Sequence, residues 1–294
     1  MNALPLVSVI IPTYNRKEYV VKAVDSAKGQ TYGNVEIVVI DDGSTDATFE
    51  TILELSKKDP RIVALKNSVN LGFVATLNVG VKASRGKYIA RLDDDDVWLD
   101  PKKLEKQVAF MEKNPEYVLV GGGVIKIDSR GKEIVRFSLP ESDQDIKKTL
   151  LVSNVFAHSA VLYKKESWVQ AGGYNKEFGF FADWELWLKL GTFGKLYNFQ
   201  DFFIYYLDQE ANKKGRSSHD YLMRRKLGLN IKLRNNYKQY YPGYKRGLLI
   251  SLAGYGYSFM PFRKVLWPGI FWLRNIVFGA TPYKYINIKK PPTQ

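Results

Sequence analysis

Short apolar runs alternate with amphipathic segments through the first 113 residues of the chain. Four of these runs have the length and composition of buried strands, and they occupy residues 6–11, 35–40, 61–66 and 88–92. After each run, apolar residues recur at helical spacing, in segments that cover residues 16–28, 45–57, 72–83 and 101–113. This α/β repetition predicts an open, mostly parallel twisted sheet with helices on both faces.

The pattern is less regular after residue 113. Strand-like runs at residues 117–127 and 133–137 flank a turn that contains glycine, and they predict a hairpin. Within the first run, Gly121–Gly123 indicates a bulge or a close approach of the backbone. A further helix is predicted at residues 143–151, and another begins at Asp183.

Polar clusters follow three of the predicted strands, at the point where each strand ends. They are Pro12–Asn15, Asp41–Ser44 and Asp93–Asp96. In open α/β sheets, ligands bind outside the carboxyl ends of the strands. The three clusters therefore predict a ligand site at one edge of the sheet.

Four consecutive carboxylates form the third cluster: Asp93, Asp94, Asp95 and Asp96. Mg²⁺ or Mn²⁺ would relieve their mutual repulsion, because hard divalent cations take carboxylate oxygens as ligands. If the segment is extended, Asp93 and Asp95 face one site while Asp94 and Asp96 face elsewhere. The alternative is a solvated turn before a helix that begins near Asp100.

Several kinds of site are excluded or disfavoured by composition. The chain contains no Cys, which excludes disulfides and Cys-ligated metal centres. With only His158 and His219 present, a zinc site with several His ligands is disfavoured. Neither a Gly-x-Gly-x-x-Gly nor a P-loop sequence is found, so loops and a metal ion would have to hold any nucleotide phosphates.

Five segments closely resemble, in order and spacing, the family 2 glycosyltransferases of the GT-A fold: Ser8–Arg16, Val39–Asp46, Asn70–Gly72 with Asn78–Gly80, and Gly86–Asp96. The resemblance covers roughly residues 6–210. It implies an inverting transferase that uses a nucleotide-diphosphate sugar, a UDP- or dTDP-sugar by preference, together with Mn²⁺ or Mg²⁺.

The resemblance also implies roles for individual residues. The nucleotide contacts would be Pro12, Thr13, Tyr14, Asn15, Arg16, Asp41, Asp42, Asn70, Asp93 and Asp94. The metal ligands would be Asp93, Asp95 and His219. Tyr14 offers a ring on which a base can stack, and a carboxylate can accept a bond from a base or a ribose hydroxyl. A plain turn with a helix cap is the alternative for Asp41–Ser44.

Asp183 is the candidate general base, since the family usually has an acidic pair here whose Asp is the base. In this chain Ala182 replaces the first acid of the pair. Desolvation in an aromatic pocket would raise the pKa of the carboxylate and suit it to proton abstraction. A helix N-cap is the alternative for Asp183, and Glu185 is the fallback base. The acceptor or sugar side would include His158, Gly173, Trp184 and Glu185, although a lone His is often structural.

Charge divides the chain unevenly. Residues 211–294 carry 17 Lys and Arg and one acid, whereas the preceding residues carry 27 Lys and Arg and 29 acids. We expect a catalytic domain at 1–215, with a nucleotide-sugar half at about 1–100 and an acceptor half at about 101–215. A basic, aromatic helical extension would occupy 216–294.

The basic and aromatic composition of the extension predicts contact with a membrane surface. Its charge-free run, residues 247–262, is too short to span a bilayer. A helical cap packed on the catalytic domain is the alternative. A mobile loop at 208–219 would close over the diphosphate with Lys213, Lys214 and Arg216. With no signal sequence evident, we expect a cytoplasmic protein, peripheral on the inner face of the cell membrane. The acceptor would be a glycan or a lipid-linked sugar, and no nucleic acid is expected as a partner.

Two rival functions remain open from the sequence. A sugar-1-phosphate nucleotidyltransferase would need a Gly-rich basic loop after the first strand, and Pro12–Asn15 lacks one. A non-enzymatic protein that binds a membrane or nucleic-acid surface through its extension would need no active site.

Overall fold

The computed structural model describes residues 4–207, 219–257 and 284–286. Its first part follows the predicted β-α alternation. The strands are β1 (Val7–Thr13), β2 (Val35–Asp41), β3 (Ile62–Lys66) and β4 (Tyr88–Arg91). The helices between them are α1 (Lys17–Lys28), α2 (Thr48–Lys58) and α3 (Phe73–Ala83). The four strands pair in parallel in the order β3-β2-β1-β4.

Both faces of this parallel sheet are covered, which is why its central strands are continuous apolar runs. Every residue of β1 and β2 is buried. Alternate side chains point to opposite faces, so Ile10 and Val38 join the core beneath α3, whereas Val9 and Ile37 join the core beneath α1 and α2.

The second part of the chain adds antiparallel strands and further helices. The strands are β5 (Val97–Trp98), β6 (Tyr117–Ile127), β7 (Glu133–Ser138), β8 (Leu162–Lys164) and β9 (Lys195–Leu207). The helices are α4 (Lys103–Lys113), α5 (Asp143–Leu150), α6 (Lys165–Gln170) and α7 (Ala182–Phe193). Short 3₁₀ helices cover His158–Ala160 and Lys176–Phe181.

The α/β fold is confirmed, and the sheet as a whole is mixed. Strand β8 lies antiparallel between β4 and β6, and β6 also pairs antiparallel with β7. The long strand β9, which the apolar pattern did not predict, runs parallel to β6 with an irregular register. The close approach predicted for the β6 glycines is present, because a Cβ on Gly122 would lie 2.2 Å from the Phe203 ring.

Two helices of the C-terminal extension, α8 (His219–Tyr237) and α9 (Tyr244–Tyr257), are described, and a short strand β10 (Lys284–Ile286) pairs with β7. Leu233, Tyr237 and Tyr241 are buried in the same core as α7. The Tyr241 hydroxyl donates to the Leu188 carbonyl at 2.7 Å. This part of the extension therefore packs against α7 as a helical cap.

Across the described ranges 4–207, 219–257 and 284–286, no helix is long and apolar enough to cross a membrane. The predicted loop with Lys213, Lys214 and Arg216 lies outside the described residues, as does most of the aromatic segment that follows α9. Contact of the extension with a membrane stays a prediction.

Candidate active site

Two adjoining cavities lie at the carboxyl ends of the parallel strands. The strand-end cavity, of about 470 Å³, is lined by residues that follow β1, β2 and β4. The helix-side cavity, of about 770 Å³, lies between α7, α8 and the segment 152–159. Four residues line both cavities: Phe73, Asp93, Phe180 and Tyr206. The two cavities therefore form a continuous cleft with Asp93 at its middle.

The strand-end cavity collects most of the predicted nucleotide contacts. Its lining includes Pro12, Thr13, Tyr14, Arg16, Asp42, Asn70, Asp93, Asp94 and Asp95. Tyr14 is 42% exposed, so its ring is open to a planar ligand. These residues are distant in sequence, and the parallel register of the strands brings them to one edge.

Asp42 shapes one wall of this cavity. One carboxylate oxygen accepts from the Asn67 amide and the Leu71 N–H, both at 2.8 Å, and the other accepts from the Gly72 N–H at 2.9 Å. Asp42 thus holds the loop 70–72 in place. A carboxylate has about four acceptor positions, so Asp42 retains capacity for a ligand.

Arg16 joins the loop after β1 to the acidic cluster. Its guanidinium lies 2.7 Å from Asp95 and 3.2 Å from Asp94. The Thr13 hydroxyl donates to the other oxygen of Asp94 at 2.7 Å. Burial raises the pKa of Asp94 to about 6, against the lowering effects of Arg16 and Thr13.

Two predicted nucleotide contacts do not line the cavity. Asp41 is fully buried, and its carboxylate accepts from Ser44 within its own turn. Asn15 has a positive φ of 52°, which Asn tolerates better than most residues. Its side-chain oxygen accepts from the Thr45 N–H at 2.8 Å. Both residues stabilise the loops that carry their neighbours.

The expected alternation of the four acids is wrong. The segment is a turn rather than an extended strand, and the Asp96 N–H donates to the Asp93 carbonyl at 3.2 Å. As a result Asp93, Asp94 and Asp95 all line the strand-end cavity, and Asp96 lines only the other one. Ser159 holds the turn, since its hydroxyl contacts both the Asp93 and the Asp96 carboxylates.

The residues at the turn fit a divalent ion that is coordinated partly by the protein and partly by a substrate. The side chains of Asp93 and Asp95 are 27% and 21% exposed. Within the described part of the chain, no group of three or more His, Asp or Glu is placed to hold an ion. Mg²⁺ is commonly held by one or two carboxylates together with substrate phosphates. His219 begins α8, and its side chain lies outside the described residues.

Asp183 lies in the first turn of α7 and lines the helix-side cavity. The Asn154 side-chain amide donates to one of its oxygens at 2.9 Å. Burial raises the pKa of Asp183 to about 6, against the lowering effects of the Trp184 N–H and Asn154, and the charge of Asp93 adds to the rise. A carboxylate with this pKa is largely ionised at neutral pH and is a stronger base than an exposed Asp.

His158 lines the same cavity as an uncharged ring. Burial and the Arg91 guanidinium lower its pKa to about 3. Its Nε2 lies 3.0 Å from the Tyr174 hydroxyl, and rings of Phe73 and Trp187 contact it edge to face. His158 thus adds a neutral, aromatic surface beside Asp93.

The other predicted acceptor-side residues are divided. Trp184 lines the helix-side cavity. Gly173 does not, because it forms a left-handed turn (φ 75°) packed against Trp168. Glu185 is buried on another side of α7, where it accepts from the Tyr237 hydroxyl at 2.8 Å and lies 3.0 Å from Lys189. Glu185 is therefore not placed to act as the fallback base.

Sequence reasoning missed several residues that the structure brings to the cleft. They are Asn154, Ser159, Phe73 and Phe180, and, from α8, Lys226, Asn230 and Arg234. Asn154 and Ser159 lie close in sequence to His158, which was predicted. The α8 residues recur every four positions, and that spacing was the available signal.

Comparison with known proteins agrees with this architecture. The family model described as glycosyl transferase family 2 matches residues 8–168. An uncharacterized glycosyltransferase of Haemophilus influenzae is 31% identical over 265 residues, 80% of each chain. The amylovoran biosynthesis glycosyltransferase AmsE of Erwinia amylovora is 33% identical over 189 residues, 64% of this chain and 70% of the relative.

Two solved structures share the fold. Residues 1–349 of TarS from S. aureus, in complex with UDP, superpose with a TM-score of 0.62 and 20% identity, over 84% of this chain and 70% of that one. The mannosyltransferase PcManGT of Pyrobaculum calidifontis, in complex with GDP-Man and Mn²⁺, gives a TM-score of 0.62 and 15% identity, over 93% and 81%. The GT-A fold is thereby confirmed.

Proposed function

The chain belongs to glycosyl transferase family 2, and from this we propose that it is an inverting, metal-dependent enzyme with Asp183 as its general base. The donor is a nucleotide-diphosphate sugar in the strand-end cavity, and the acceptor hydroxyl enters through the helix-side cavity. One observation carries the proposal. Asp93 lines both cavities, and Asp183, with its raised pKa, lines the second.

The donor assignment follows from the lining of the strand-end cavity. Tyr14 offers a ring to the base, and Asp42 offers acceptor oxygens to the base or ribose. Arg16 carries the positive charge that a diphosphate requires, and its guanidinium suits phosphate geometry. A divalent ion held by Asp93 and Asp95 would supply further positive charge to the departing diphosphate.

The proposed transfer is a single displacement. Asp183 takes the proton of the acceptor hydroxyl, and the acceptor oxygen forms a bond to the anomeric carbon. The bond from that carbon to the diphosphate oxygen breaks, and its electron pair leaves with the nucleoside diphosphate. The Asn154 amide donates a hydrogen bond to one carboxylate oxygen of Asp183 and so orients it, and the other oxygen can face the acceptor. Attack from the face opposite the leaving group inverts the anomeric centre.

The acceptor we propose is a growing glycan or a lipid-linked sugar. The similarity to a protein of amylovoran biosynthesis supports a role in polysaccharide assembly. UDP- and dTDP-sugars are the donors to test first, and GDP-sugars follow because one structural relative holds GDP-Man. A peripheral position on the inner face of the membrane, reached through the extension, is part of this proposal.

A thermal-shift panel tests the donor site. UDP, dTDP, GDP and CDP are each added with and without Mn²⁺. One nucleotide at a hundred times its Kd should stabilise the protein by about 2.7 kcal/mol, and only with the metal. Asp95→Ala should remove the metal-dependent shift, whereas Asp25→Ala, an exposed carboxylate on α1, should retain it. If no nucleotide shifts the melting temperature, the donor assignment is wrong.

A further inference from the structure

One face of α8 carries three hydrogen-bond donors at intervals of four residues. They are Lys226, Asn230 and Arg234, and all three line the helix-side cavity together with Asp183. Residues four apart on a helix share a face, so these donors form a strip along one wall. At 1.5 Å per residue the strip is about 12 Å long. We call it the α8 strip.

Arg234 anchors the inner end of the α8 strip. It is 2% exposed, and its guanidinium lies 5.2 Å from the Trp184 ring. It donates to the Asn230 side chain at 2.8 Å and to the Val152 carbonyl at 3.0 Å. Among the residues that the structure describes, its Nε–H has no hydrogen-bond acceptor, and the groups to which the guanidinium donates are all neutral.

A buried guanidinium with only neutral partners is costly to the fold. Burial lowers the pKa of Arg234 to about 10, so the group is still charged at neutral pH. Packing also holds it in place, since a Cβ on Gly247 would lie 2.3 Å from its Nε. A retained, fixed positive charge on a cavity wall indicates a negative group in the ligand.

Lys226 forms the outer end of the strip. Its ammonium lies 3.2 Å from the centre of the exposed Phe180 ring and 5.8 Å from that of Phe181. Phe180 lines both cavities. Lys226 is therefore placed beside the passage between donor and acceptor.

We propose that the α8 strip binds a phosphate group of the acceptor. This inference rests on the proposed function, because it takes the helix-side cavity as the acceptor site. Two cations with an amide between them suit a group with several anionic oxygens, such as a diphosphate, better than a single carboxylate. The phosphate could come from the link between a lipid and its first sugar, or from within a phosphorylated glycan.

Calorimetric titration of the full chain at a fixed concentration of Mn²⁺, with each probe also titrated into the same buffer without protein, tests the strip. The probes are hexyl diphosphate, glucose 6-phosphate and the neutral hexyl β-glucoside. The nucleotide that stabilises the protein is present at saturation, so that the strand-end cavity is filled. We expect a phosphate probe to bind, and the neutral probe to bind at least tenfold more weakly, since a charge-assisted hydrogen bond is worth a factor of ten or more.

Lys226→Gln should weaken the binding of the phosphate probe about tenfold. Lys238→Gln makes the same charge change at an exposed position just after α8 that does not line the cavity, and this variant should bind the probe as the wild type does. Tighter binding of hexyl diphosphate would assign the phosphate to a lipid link, and tighter binding of glucose 6-phosphate would assign it to the glycan. If no phosphate probe binds, or if Lys226→Gln binds it unchanged, the inference is wrong.

This outcome is separable from that of the proposed function. If the phosphate probes do not bind to the α8 strip, the expected metal-dependent nucleotide shift and the expected need for Asp183 are unaffected. Failure of the nucleotide shift would overturn the donor site even if the α8 strip binds phosphate.

Discussion

Replacing Asp183 by Asn is expected to slow transfer strongly and, at the same time, to stabilise the fold. The pKa of Asp183 rises from 3.8 to about 6 because the carboxylate is buried. Burial therefore disfavours the ionised form of this carboxylate. At neutral pH the group is nevertheless ionised, and this lowers the free energy of unfolding. One pKa unit equals about 1.4 kcal/mol, which gives an upper value of about 3 kcal/mol. The Asp183 side chain is only partly buried, and solvent screens part of this cost. We therefore expect Asp183→Asn to raise the free energy of unfolding by about 1–3 kcal/mol.

The gain should depend on pH in a defined direction. Below about pH 3, Asp183 is protonated in both the folded and the unfolded chain, and the charge adds no cost. Between pH 4 and 6 the unfolded chain binds fewer protons than the folded one, so wild-type stability falls as pH rises. Above about pH 6.5 the full cost is present. The stability advantage of Asp183→Asn should therefore be absent at pH 3 and largest at pH 7–8.

Thermal melts at a series of pH values measure this difference. A gain of 1–3 kcal/mol corresponds to roughly 2–6 °C for a chain of this size. Transfer should fall by about 10²–10⁴-fold, the usual contribution of a general base, while nucleotide binding is retained. Asp25→Asn, an exposed carboxylate paired with Lys28, is the matched control and should change neither quantity. A stability difference that is independent of pH, or full activity in Asp183→Asn, would refute the reasoning.

Three further predictions follow from the same structure. Asn154→Ala removes a donor that favours ionised Asp183, so the acid limb of the pH–rate profile should move to higher pH than in the wild type. Ser159→Ala removes the hydroxyl that holds the acidic turn, and urea unfolding should show a loss of about 1–3 kcal/mol. Gly80→Ala would place a Cβ 2.5 Å from a side chain of β2 and should cost about 1–3 kcal/mol, whereas Gly33→Ala, with no atom within 4 Å, should stay within about 0.5 kcal/mol.

The parallel half of the sheet was predictable because burial on both faces makes its strands continuous apolar runs. The parallel arrangement then brings the polar ends of β1, β2 and β4 to one edge. Thr13, Asp42 and Asp95 were found in this way without knowledge of the tertiary structure.

The antiparallel half was less predictable. Strand β9 mixes polar and apolar residues, and its place beside β6 depends on the glycines that admit the Phe203 ring. The face of each acid could not be deduced either, because a turn with a hydrogen bond from Asp96 to Asp93 replaced the assumed extended segment. The spacing of Lys226, Asn230 and Arg234 was visible in the sequence, but only the packing of α8 shows what these side chains face.

The packing of α8 against α7 has a consequence for how such enzymes diversify. Most of the strand-end cavity lies within the stretch that matches the family model, whereas most of the helix-side cavity, including the parts of α7 and α8 that line it, lies outside that stretch. Substitutions on α8 would change this wall of the helix-side cavity and leave the strand-end cavity and Asp183 on α7 unchanged. A change of acceptor could therefore arise from substitutions on α8 alone, with the proposed donor site and the proposed general base kept as they are.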